Sequence, residues 1–541
     1  MTKTVQPPAN TAVLQPPKEQ RTITGMELLM ETAAERGVEV CFANPGTTEI
    51  PMVAALDGSP KIRPILGLFE GVCTGAADGY GRMAQKPAIA LLHLGPGLSN
   101  GLCNLHNAHR AHTPVLALVG EHSTWHRPYD PLLAMDIQAL AGTLGGWQRT
   151  TSHVLNLGVD VSDAVAAAQR GQVATLIVPF DIQSKTVVAA APVPESPAPP
   201  NALNEQAIAN AVRLLKGKKV VMILGGRSLS REGQMKAACI KAACGCDLIA
   251  ENFPARMERG VGLPRIDRVP YIPAIAETML ESYEAVVLAG ARAPVIMFGY
   301  KDTPPTLLNA GQEVVSLGEG PDVLAALNRL AEAVGAPSVP PKELLNPARE
   351  TAMPTGALTR DKVCAVLAAL QPEGAVVVDE GNTTSQSYDY FSSAAKPFSL
   401  LTLTGGAIGQ GAPCATGAAV ACPDRKVIDF QADGSAFYTI QALFTQAKEK
   451  LDVVTLVCSN QSYDVIKLEV IRGGAQLGPA AKRLTDLSGV DWIKLGEGLG
   501  VPSVAVATAE ELSSELSKAF AEKGPRLIEV RLSSVLGASH S

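Results

Sequence analysis

The sequence predicts an α/β protein made of three doubly wound domains, each built around a parallel sheet. Apolar runs of strand length alternate with helical patterns along nearly the whole chain, as expected when helices cover both faces of parallel strands. Two proline-rich stretches, 192–200 and 336–347, interrupt the alternation and are typical of linkers. The 541 residues suffice for three domains of ordinary size.

These interruptions predict domains over residues 22–190, 201–335 and 352–535. Residues 1–21 are rich in proline, glutamine and threonine and lack an apolar core. We therefore expect a disordered tail there, not a signal or transit peptide.

The composition limits the classes of function. A net charge of −6 offers no electrostatic basis for binding nucleic acid or an anionic membrane. Hydrophobic residues make up 46% of the chain and charged residues 18%, and no apolar run is long enough to span a membrane. Ten cysteines are scattered through apolar segments, which predicts a reducing compartment and a cytoplasmic location.

The third domain contains two polar clusters, each placed after an apolar strand. Asp433-Gly434-Ser435 follows a strand predicted to end at residue 432, and Asn460-Gln461-Ser462 follows a second strand over 451–458, with a helix predicted over 436–450 between them. Open α/β sheets bind ligands at such strand ends, and oxygen ligands of this kind suit Mg²⁺. Asp-Gly-Ser alone is equally typical of a turn or helix cap, but the paired Asn favours a ligand site.

This pairing resembles the thiamin-diphosphate motif of the superfamily that contains acetohydroxyacid synthase, pyruvate decarboxylase and benzoylformate decarboxylase. Ala432 replaces the first glycine of that motif here. The resemblance implies pyrimidine-binding, central and diphosphate-binding domains in chain order. It also implies that Mg²⁺ is held by Asp433, Asn460 and the Ser462 carbonyl, and that the diphosphate is contacted by Gly434, Ser435 and Tyr463.

Glu70 lies at the end of the apolar run 65–70, which is predicted to be a strand, and a helix rich in small residues follows. On its own, Glu70 also suits a helix N-cap or a surface position. The segment 70–82 resembles the family helix that carries an activating glutamate. The resemblance implies that Glu70, kept neutral by burial, donates to the pyrimidine N1′ and promotes the tautomer that deprotonates the thiazolium carbon.

Two further segments resemble cofactor-binding loops of the family. In 404–413, Gly406 matches a carbonyl that accepts from the pyrimidine amino group, and Ile408 matches an apolar wedge under the thiazolium. Asn382 and Thr383 follow the apolar run 375–378 and match a loop that contacts the diphosphate.

Other residues bear on which member of the family this chain is like. The turn 42–49 resembles the Asn-Pro-Gly-Ser turn of benzoylformate decarboxylase, which gives Thr47 the role of binding the substrate carboxylate and His93 that of a proton relay. The segment 294–301 lacks the second histidine of that enzyme. By analogy, Ile466 and Glu469 line the substrate pocket.

The resemblance implies an enzyme that uses thiamin diphosphate and Mg²⁺ to decarboxylate a 2-oxo acid and transfer the acyl anion to a second carbonyl, as acetolactate synthases do. Two alternatives stay open: a decarboxylase that protonates its intermediate, and a non-catalytic cofactor-binding regulatory subunit. The family also implies a homodimer or homotetramer with the active site at the subunit interface. FAD, which acetohydroxyacid synthases bind in the central domain, is possible but not favoured, because no Gly-x-Gly-x-x-Gly segment occurs there.

Overall fold

The computed structural model describes residues 21–188, 203–299, 301, 303–320, 322–349 and 352–534. The predicted tail, apart from Arg21, and the 192–200 linker lie outside the described residues. Three parallel sheets with their helices confirm the predicted α/β class. One sheet falls within each predicted domain range, while the exact domain limits stay predictions.

The first domain contains a six-stranded parallel sheet in the order β3-β2-β4-β5-β7-β6, and β1 pairs separately with β8. Most of β4, β5 and β7 is inaccessible to solvent, as expected for parallel strands covered on both faces. The strands are β1 Thr22–Thr24, β2 Val40–Ala43, β3 Arg63–Leu66, β4 Ala88–Leu92, β5 Val115–Glu121, β6 Gln148–Thr150, β7 Val173–Pro179 and β8 Thr186–Val188. The helices are α1 Gly25–Glu35, α2 Ile50–Asp57, α3 Glu70–Ala84, α4 Leu94–Arg110, α5 Ile137–Gly142, α6 Leu157–Gln169 and α7 Phe180–Gln183.

The central domain contains a five-stranded parallel sheet in the order β12-β10-β9-β13-β14. Its region of the chain includes β9 Val220–Leu224, β10 Asp247–Ala250, β11 Met257–Arg259, β12 Asp267–Arg268, β13 Ala285–Ala289 and β14 Glu313–Ser316. The helices are α8 Glu205–Gly217, α9 Arg231–Cys244, α10 Pro273–Leu280 and α11 Val323–Ala333. Strand β11 leaves this domain and pairs antiparallel with the third sheet.

The third domain contains a seven-stranded sheet in the order β11-β16-β15-β17-β18-β20-β19. Its own strands are β15 Val376–Glu380, β16 Phe398–Thr402, β17 Val427–Ala432, β18 Val453–Ser459, β19 Ser503–Val506 and β20 Arg526–Arg531. The helices are α12 Arg360–Leu370, α13 Tyr388–Ser392, α14 Gly411–Ala421, α15 Asp433–Ala436, α16 Ala442–Lys448, α17 Asp464–Arg472, α18 Pro479–Leu484, α19 Trp492–Gly498 and α20 Ala509–Ala521.

The first and third domains are joined by a close crossing of α3 and α14. A Cβ atom on Gly79 would lie 2.0 Å from the Cys414 carbonyl oxygen, and one on Gly417 would lie 1.8 Å from the Ala76 carbonyl oxygen. Only glycine permits backbones to approach this closely. The small residues noted in the sequence after Glu70 thus serve to dock one domain on the other.

Two sequence-based element boundaries were wrong. Strand β3 ends at Leu66, and Glu70 is the first residue of α3, not the last of the strand. The helix expected over 436–450 is divided into α15, a 3-10 turn and α16. Thr439 in that turn donates from Oγ1 to the Gly409 carbonyl at 2.8 Å, which holds the turn against a neighbouring loop and interrupts the helix.

No helix among the described residues is long and apolar enough to cross a membrane.

Candidate active site

The polar clusters of the third domain lie together at the carboxyl edge of its sheet, where the parallel strands end. Strands β17 and β18 are parallel neighbours, with Ala432 opposite Cys458, as the sequence predicted. Asp433 begins α15 and is 5% exposed. Its carboxylate accepts from the backbone N–H of Gly434 at 2.9 Å and from that of Gln461 at 2.7 Å. The second contact holds the Asn460 loop against Asp433.

The surroundings of Asp433 make its charged form less favourable than it would be in water. Burial raises the pKa of Asp433 to about 6, and nearby Asp464 acts in the same direction. Hydrogen bonds from the backbone N–H groups of Gln461, Gly434 and Asn460 oppose the shift without cancelling it. A divalent cation bound at this carboxylate would favour its ionised form.

The neighbouring loop supplies further oxygen atoms. Asn460 accepts the Ser462 N–H at its side-chain oxygen, 3.0 Å away, and donates from Nδ2 to Asp464 at 3.0 Å. The Ser462 hydroxyl is buried without a hydrogen-bond partner, and such groups call for an explanation such as an ion. A carboxylate, an amide oxygen and a backbone carbonyl are hard donors, so this set fits Mg²⁺.

The diphosphate candidates surround the same loop. A Cβ on Gly434 would lie 2.2 Å from the Tyr463 ring, and the Tyr463 hydroxyl donates to the Gly434 carbonyl at 3.4 Å. Ser435 is buried and its hydroxyl faces protein acceptors, Ala432 O at 3.1 Å and Gln431 Oε1 at 3.2 Å. Position 434 therefore requires glycine. The Ser435 hydroxyl is held by acceptors at the end of strand β17.

Strand β15, the other neighbour of β17, brings the third loop to this edge. Asn382 follows β15 in the left-handed region at φ 50° and donates to the Glu380 carbonyl at 3.3 Å, and Thr383 beside it is buried. Gln461, after β18, has φ 55°, and Leu94, after β4 of the first domain, has φ 51°. Non-glycine residues in this region are strained, and such strain is concentrated at functional sites.

Glu380 is the last residue of β15, and its side chain organises the next candidate segment. The carboxylate is buried and accepts from the backbone N–H of Gly409 at 2.7 Å and of Gly411 at 2.6 Å. Gln431 donates to the same carboxylate at 3.0 Å. These bonds fix residues 404–411, hereafter the glycine loop.

The glycine loop carries Gly406 and Ile408 and also contacts the first domain. Asn107 of α4 donates to the Ala407 carbonyl at 2.8 Å and accepts the Ala407 N–H at 3.3 Å. Gly406 adopts φ 73°, and Ile408 is half-buried. From the central domain, the Met297 methyl would lie 3.5 Å from a Cβ on Gly406. An apolar side chain thus comes from the segment that lacks the second histidine.

The carboxyl edge of the first domain brings Glu70 and His93 together. Glu70 is 7% exposed at the start of α3 and accepts from Asn100 Nδ2 at 3.1 Å. A Cβ on Gly97 would lie 3.2 Å from Glu70 Oε1 and 3.3 Å from His93 Cβ, so the two side chains flank the same glycine. Strands β3, β2 and β4 that present these loops are adjacent.

The turn after β2 contacts His93 through residues that the sequence interpretation did not single out. Glu49 Oε2 lies 2.6 Å and Thr48 Oγ1 lies 3.2 Å from His93 Nδ1. Thr47, the predicted carboxylate-binding residue, is exposed in the same turn. No local signal in the sequence identifies the Glu49–His93 contact, because 44 residues separate the partners.

The predicted pocket residues lie on α17, which follows the Asn460 loop. Ile466 is 48% exposed, and Glu469 pairs with Arg472 at 2.5 Å. In the part of the chain that the structure describes, no hydrogen bond or ion pair joins the Glu70 side chain to Asp433 or Asn460.

A separate cavity of about 550 Å³ lies where the three domains meet. Its walls include Gly226, Glu251 and Arg292 of the central domain and His112 of the first. Glu251 Oε1 accepts the Gly226 N–H at 3.2 Å, and burial raises the pKa of Glu251 to about 7. Arg292 pairs with Glu319 at 2.8 Å.

The two outer domains bring polar loops and the buried Glu70 to the carboxyl edges of parallel sheets, where enzymes of the α/β class bind phosphate-bearing cofactors. Comparison with known proteins agrees. Residues 23–141 match the model of the N-terminal TPP binding domain of thiamine pyrophosphate enzymes, and residues 379–530 match the C-terminal TPP binding domain. The chain belongs to the thiamine pyrophosphate (thiamin diphosphate) enzyme family.

Similar proteins span nearly the whole chain. One similar protein, from Mycobacterium tuberculosis, carries the name of an acetolactate synthase large subunit. It is 45% identical, and the match covers 95% of this chain and 100% of the relative. Benzoylformate decarboxylase of Pseudomonas aeruginosa is 28% identical, and the match covers 92% of this chain and 97% of the relative. The thiamine diphosphate-dependent 4-hydroxybenzoylformate decarboxylase of Rhodococcus jostii RHA1 superposes with a TM-score of 0.81 at 25% identity, with 94% and 99% covered.

Proposed function

We propose that this enzyme uses Mg²⁺ and thiamin diphosphate to decarboxylate a 2-oxo acid and transfer the acyl group to a second carbonyl compound. The observation that carries the proposal is the Asp433–Asn460–Ser462 set at one carboxyl edge, with Glu70 and His93 at another. When bound, the cofactor supplies a nucleophilic carbon and an electron sink. The relative named after an acetolactate synthase large subunit supports ligation as the outcome.

The residues of the third domain would hold the cofactor. Asp433, Asn460 and the Ser462 carbonyl bind Mg²⁺, and the loops bearing Asn382, Thr383, Gly434, Ser435 and Tyr463 receive the diphosphate. The Gly406 carbonyl accepts from the pyrimidine amino group. Ile408 would pack against the cofactor from the glycine loop, whose backbone Glu380 holds in place.

The residues of the first domain would handle protons and substrate. Glu70 donates to the pyrimidine nitrogen, and Asn100 keeps its carboxyl group in place. Thr47 binds the carboxylate of the 2-oxo acid, since it stands exposed at the same edge as His93. Ile466 and Glu469 of α17 border the side chain of the acyl donor.

A second candidate is a decarboxylase that protonates its intermediate and releases an aldehyde. His93 favours it, because a partly exposed imidazole fixed beside Glu70 is suited to proton transfer. Two of the similar proteins carry the names of such decarboxylases. Met297 beside Gly406 argues for ligation instead, since an apolar side chain there does not deliver a proton.

Product analysis by NMR separates the two. The protein is supplied with Mg²⁺, thiamin diphosphate and a panel of 2-oxo acids that includes pyruvate and benzoylformate. An acyloin or acetohydroxy acid supports ligation, whereas free aldehyde as the sole product supports the decarboxylase. Absence of turnover on every acid, with the cofactor bound, would contradict both.

We further propose a homodimer or homotetramer whose active site combines Glu70 of one subunit with Asp433 of another. Supporting this, the apolar side chains of Leu68, Phe437 and Tyr438 next to them are 45%, 48% and 55% exposed. Coexpression of Glu70→Gln with Asp433→Ala tests it. Random pairing should restore about a quarter of the activity, because half the dimers are mixed and each then has one intact site. No recovery would place both residues of a site in one chain.

We infer that FAD is not part of this site. Glu251 Oε1 accepts the Gly226 N–H at the end of β9, so this N–H is not available to a ligand there. Flavin absorbance in the protein as purified, or released on denaturation, would overturn this. We also propose a cytoplasmic location, since all ten cysteines of the sequence are unpaired.

A further inference from the structure

Glu49 is the most completely buried acidic side chain at the edge that carries His93. Its side chain is 0% exposed, whereas that of His93 is 21% exposed. Strands β2 and β4, which lead into the two residues, are parallel neighbours. The contact of 2.6 Å between Glu49 Oε2 and His93 Nδ1 therefore joins a fixed interior group to a group that solvent or substrate reaches.

The Glu49 carboxylate is held on several sides. Oε2 accepts the Gly46 N–H at 3.0 Å, and Oε1 accepts from the Thr48 hydroxyl at 2.6 Å. A Cβ on Gly120 would lie 1.9 Å from Oε1, so the backbone of β5 closes the remaining side. A carboxylate confined in this way does not rotate to follow its partner.

The imidazole ring is confined as well. A Cβ on Gly46 would lie 2.2 to 2.5 Å from three atoms of the His93 ring, so the ring lies flat against this glycine. Opposite an ionised carboxylate, which only accepts hydrogen bonds, Nδ1 carries the proton that joins it to Glu49. Nε2 of the neutral ring then has a free lone pair, on the side away from Glu49.

We propose that Glu49 is a positioning residue that keeps His93 in the Nδ1–H tautomer, with Nε2 as the proton acceptor at the edge that also carries Glu70. Nε2 accepts a proton from the substrate-derived group in one step and returns that proton in a later step. The hydrogen bond from Nδ1–H to Glu49 persists throughout. The role of Nε2 rests on the proposed function. The tautomer does not, because it follows from the contacts of the chain alone.

Two variants separate position from charge. Glu49→Gln keeps the length of the side chain: its carbonyl oxygen replaces Oε2, and its NH₂ faces the Thr48 oxygen. Glu49→Asp keeps the charge but withdraws it from Nδ1 by one methylene group. If Glu49 acts by position, Gln preserves more of the wild-type behaviour than Asp does. If it acts by charge, the order reverses.

The first readout is ¹⁵N NMR of histidine-labelled protein without substrate, with His93 assigned by loss of its signals in His93→Gln. We expect the Nδ1–H pattern in the wild type and Glu49→Gln, and a tautomer mixture in Glu49→Asp. An Nε2–H wild type, or a pure Nδ1–H pattern in Glu49→Asp, would overturn the proposal. This NMR test of the His93 tautomer remains valid even if the protein turns over no 2-oxo acid.

The second readout is steady-state kinetics on the best substrate of the panel. Glu49→Asp should lower kcat by roughly 10- to 100-fold, as loss of an orienting partner does elsewhere, with KM and Mg²⁺-dependent cofactor binding little changed. Glu49→Gln should lie between Asp and wild type. An Asp variant as active as Gln, or more active, would refute a positioning role.

Discussion

The carboxyl edges of the first and third domains use acidic residues in opposite ways. At the first edge, carboxylates mainly contact other side chains: Glu49 meets His93 and Thr48 besides the Gly46 N–H, and Glu70 meets Asn100. At the third edge, the carboxylates of Asp433 and Glu380 accept mainly from backbone N–H groups.

This difference separates two tasks. Backbone N–H groups neither rotate freely nor titrate, so the third edge holds negative charge at set positions, as an anchor for a cation and a diphosphate requires. Imidazole, hydroxyl and amide side chains reorient, and imidazole exchanges protons near neutral pH. The first edge is therefore the one equipped for proton transfer.

The largest effect should be a loss of cofactor affinity when the proposed metal ligand Asp433 is removed. Asp433→Ala should reduce cofactor affinity by more than the roughly 10- to 100-fold typical of losing an outer-shell partner, because a metal ligand itself is lost. Calorimetric titration with thiamin diphosphate and Mg²⁺ measures this, with the exposed Glu497→Ala as the charge-matched control. Unchanged binding would remove Asp433 from the metal site.

The next largest effect should be a loss of turnover without a loss of cofactor binding. Glu70→Gln should abolish most turnover, by about 10²- to 10⁴-fold for loss of an acid–base group, and leave Mg²⁺-dependent cofactor binding near the wild-type value. Exposed Glu35→Gln is the control. Full activity in Glu70→Gln would contradict the assignment of proton transfer to the first edge.

A smaller effect should appear in stability at the third edge. Glu380→Gln turns an NH₂ group toward a backbone N–H of Gly409 or Gly411 and leaves a buried donor unsatisfied, at a cost of about 1–3 kcal/mol. The free energy of unfolding in denaturant measures it against exposed Glu373→Gln. Equal stability would mean that the glycine loop does not depend on this carboxylate.

A further effect on stability, confined to a window of pH, concerns Asp429 in β17, below the same edge. Burial raises its pKa from 3.8 to about 8, and Glu380 adds to the shift. Between these values the folded protein holds a proton that the unfolded chain has lost, so this residue lowers stability as pH rises through that window.

Asp429→Asn removes that dependence. The variant should therefore gain stability relative to the wild type as pH rises from about 4 to about 8, with no further gain above it. Unfolding curves at several pH values test this, and exposed Asp424→Asn is the control. A constant difference across the window would show that Asp429 is ionised in the folded protein.

Several features of the site were predictable from short stretches of sequence. The apolar runs before Asp433 and Asn460 predicted adjacent parallel strands, and β17 and β18 are paired as expected. The apolar run before Asn382 likewise ends at the same edge. Strand periodicity and chain order carry this information, because parallel strands joined by helices end on one side of a sheet.

Other features were not predictable, since their partners are far apart in the chain. Glu380 bonds to backbone N–H groups 29 and 31 residues away. Strand β11 leaves its own domain for the third sheet. The expected helix over 436–450 is interrupted by a contact of Thr439 with Gly409.

The sequence by itself determined the α/β class, the parallel sheets and the loops that carry Asp433, Asn460, Glu70 and His93, because local periodicity and turn residues specify strands and their ends. The tertiary structure alone decided what each acidic group contacts. It placed Glu49 on His93 and Glu380 on the glycine loop, because hydrogen-bond partners are selected by proximity after the strands and helices have packed.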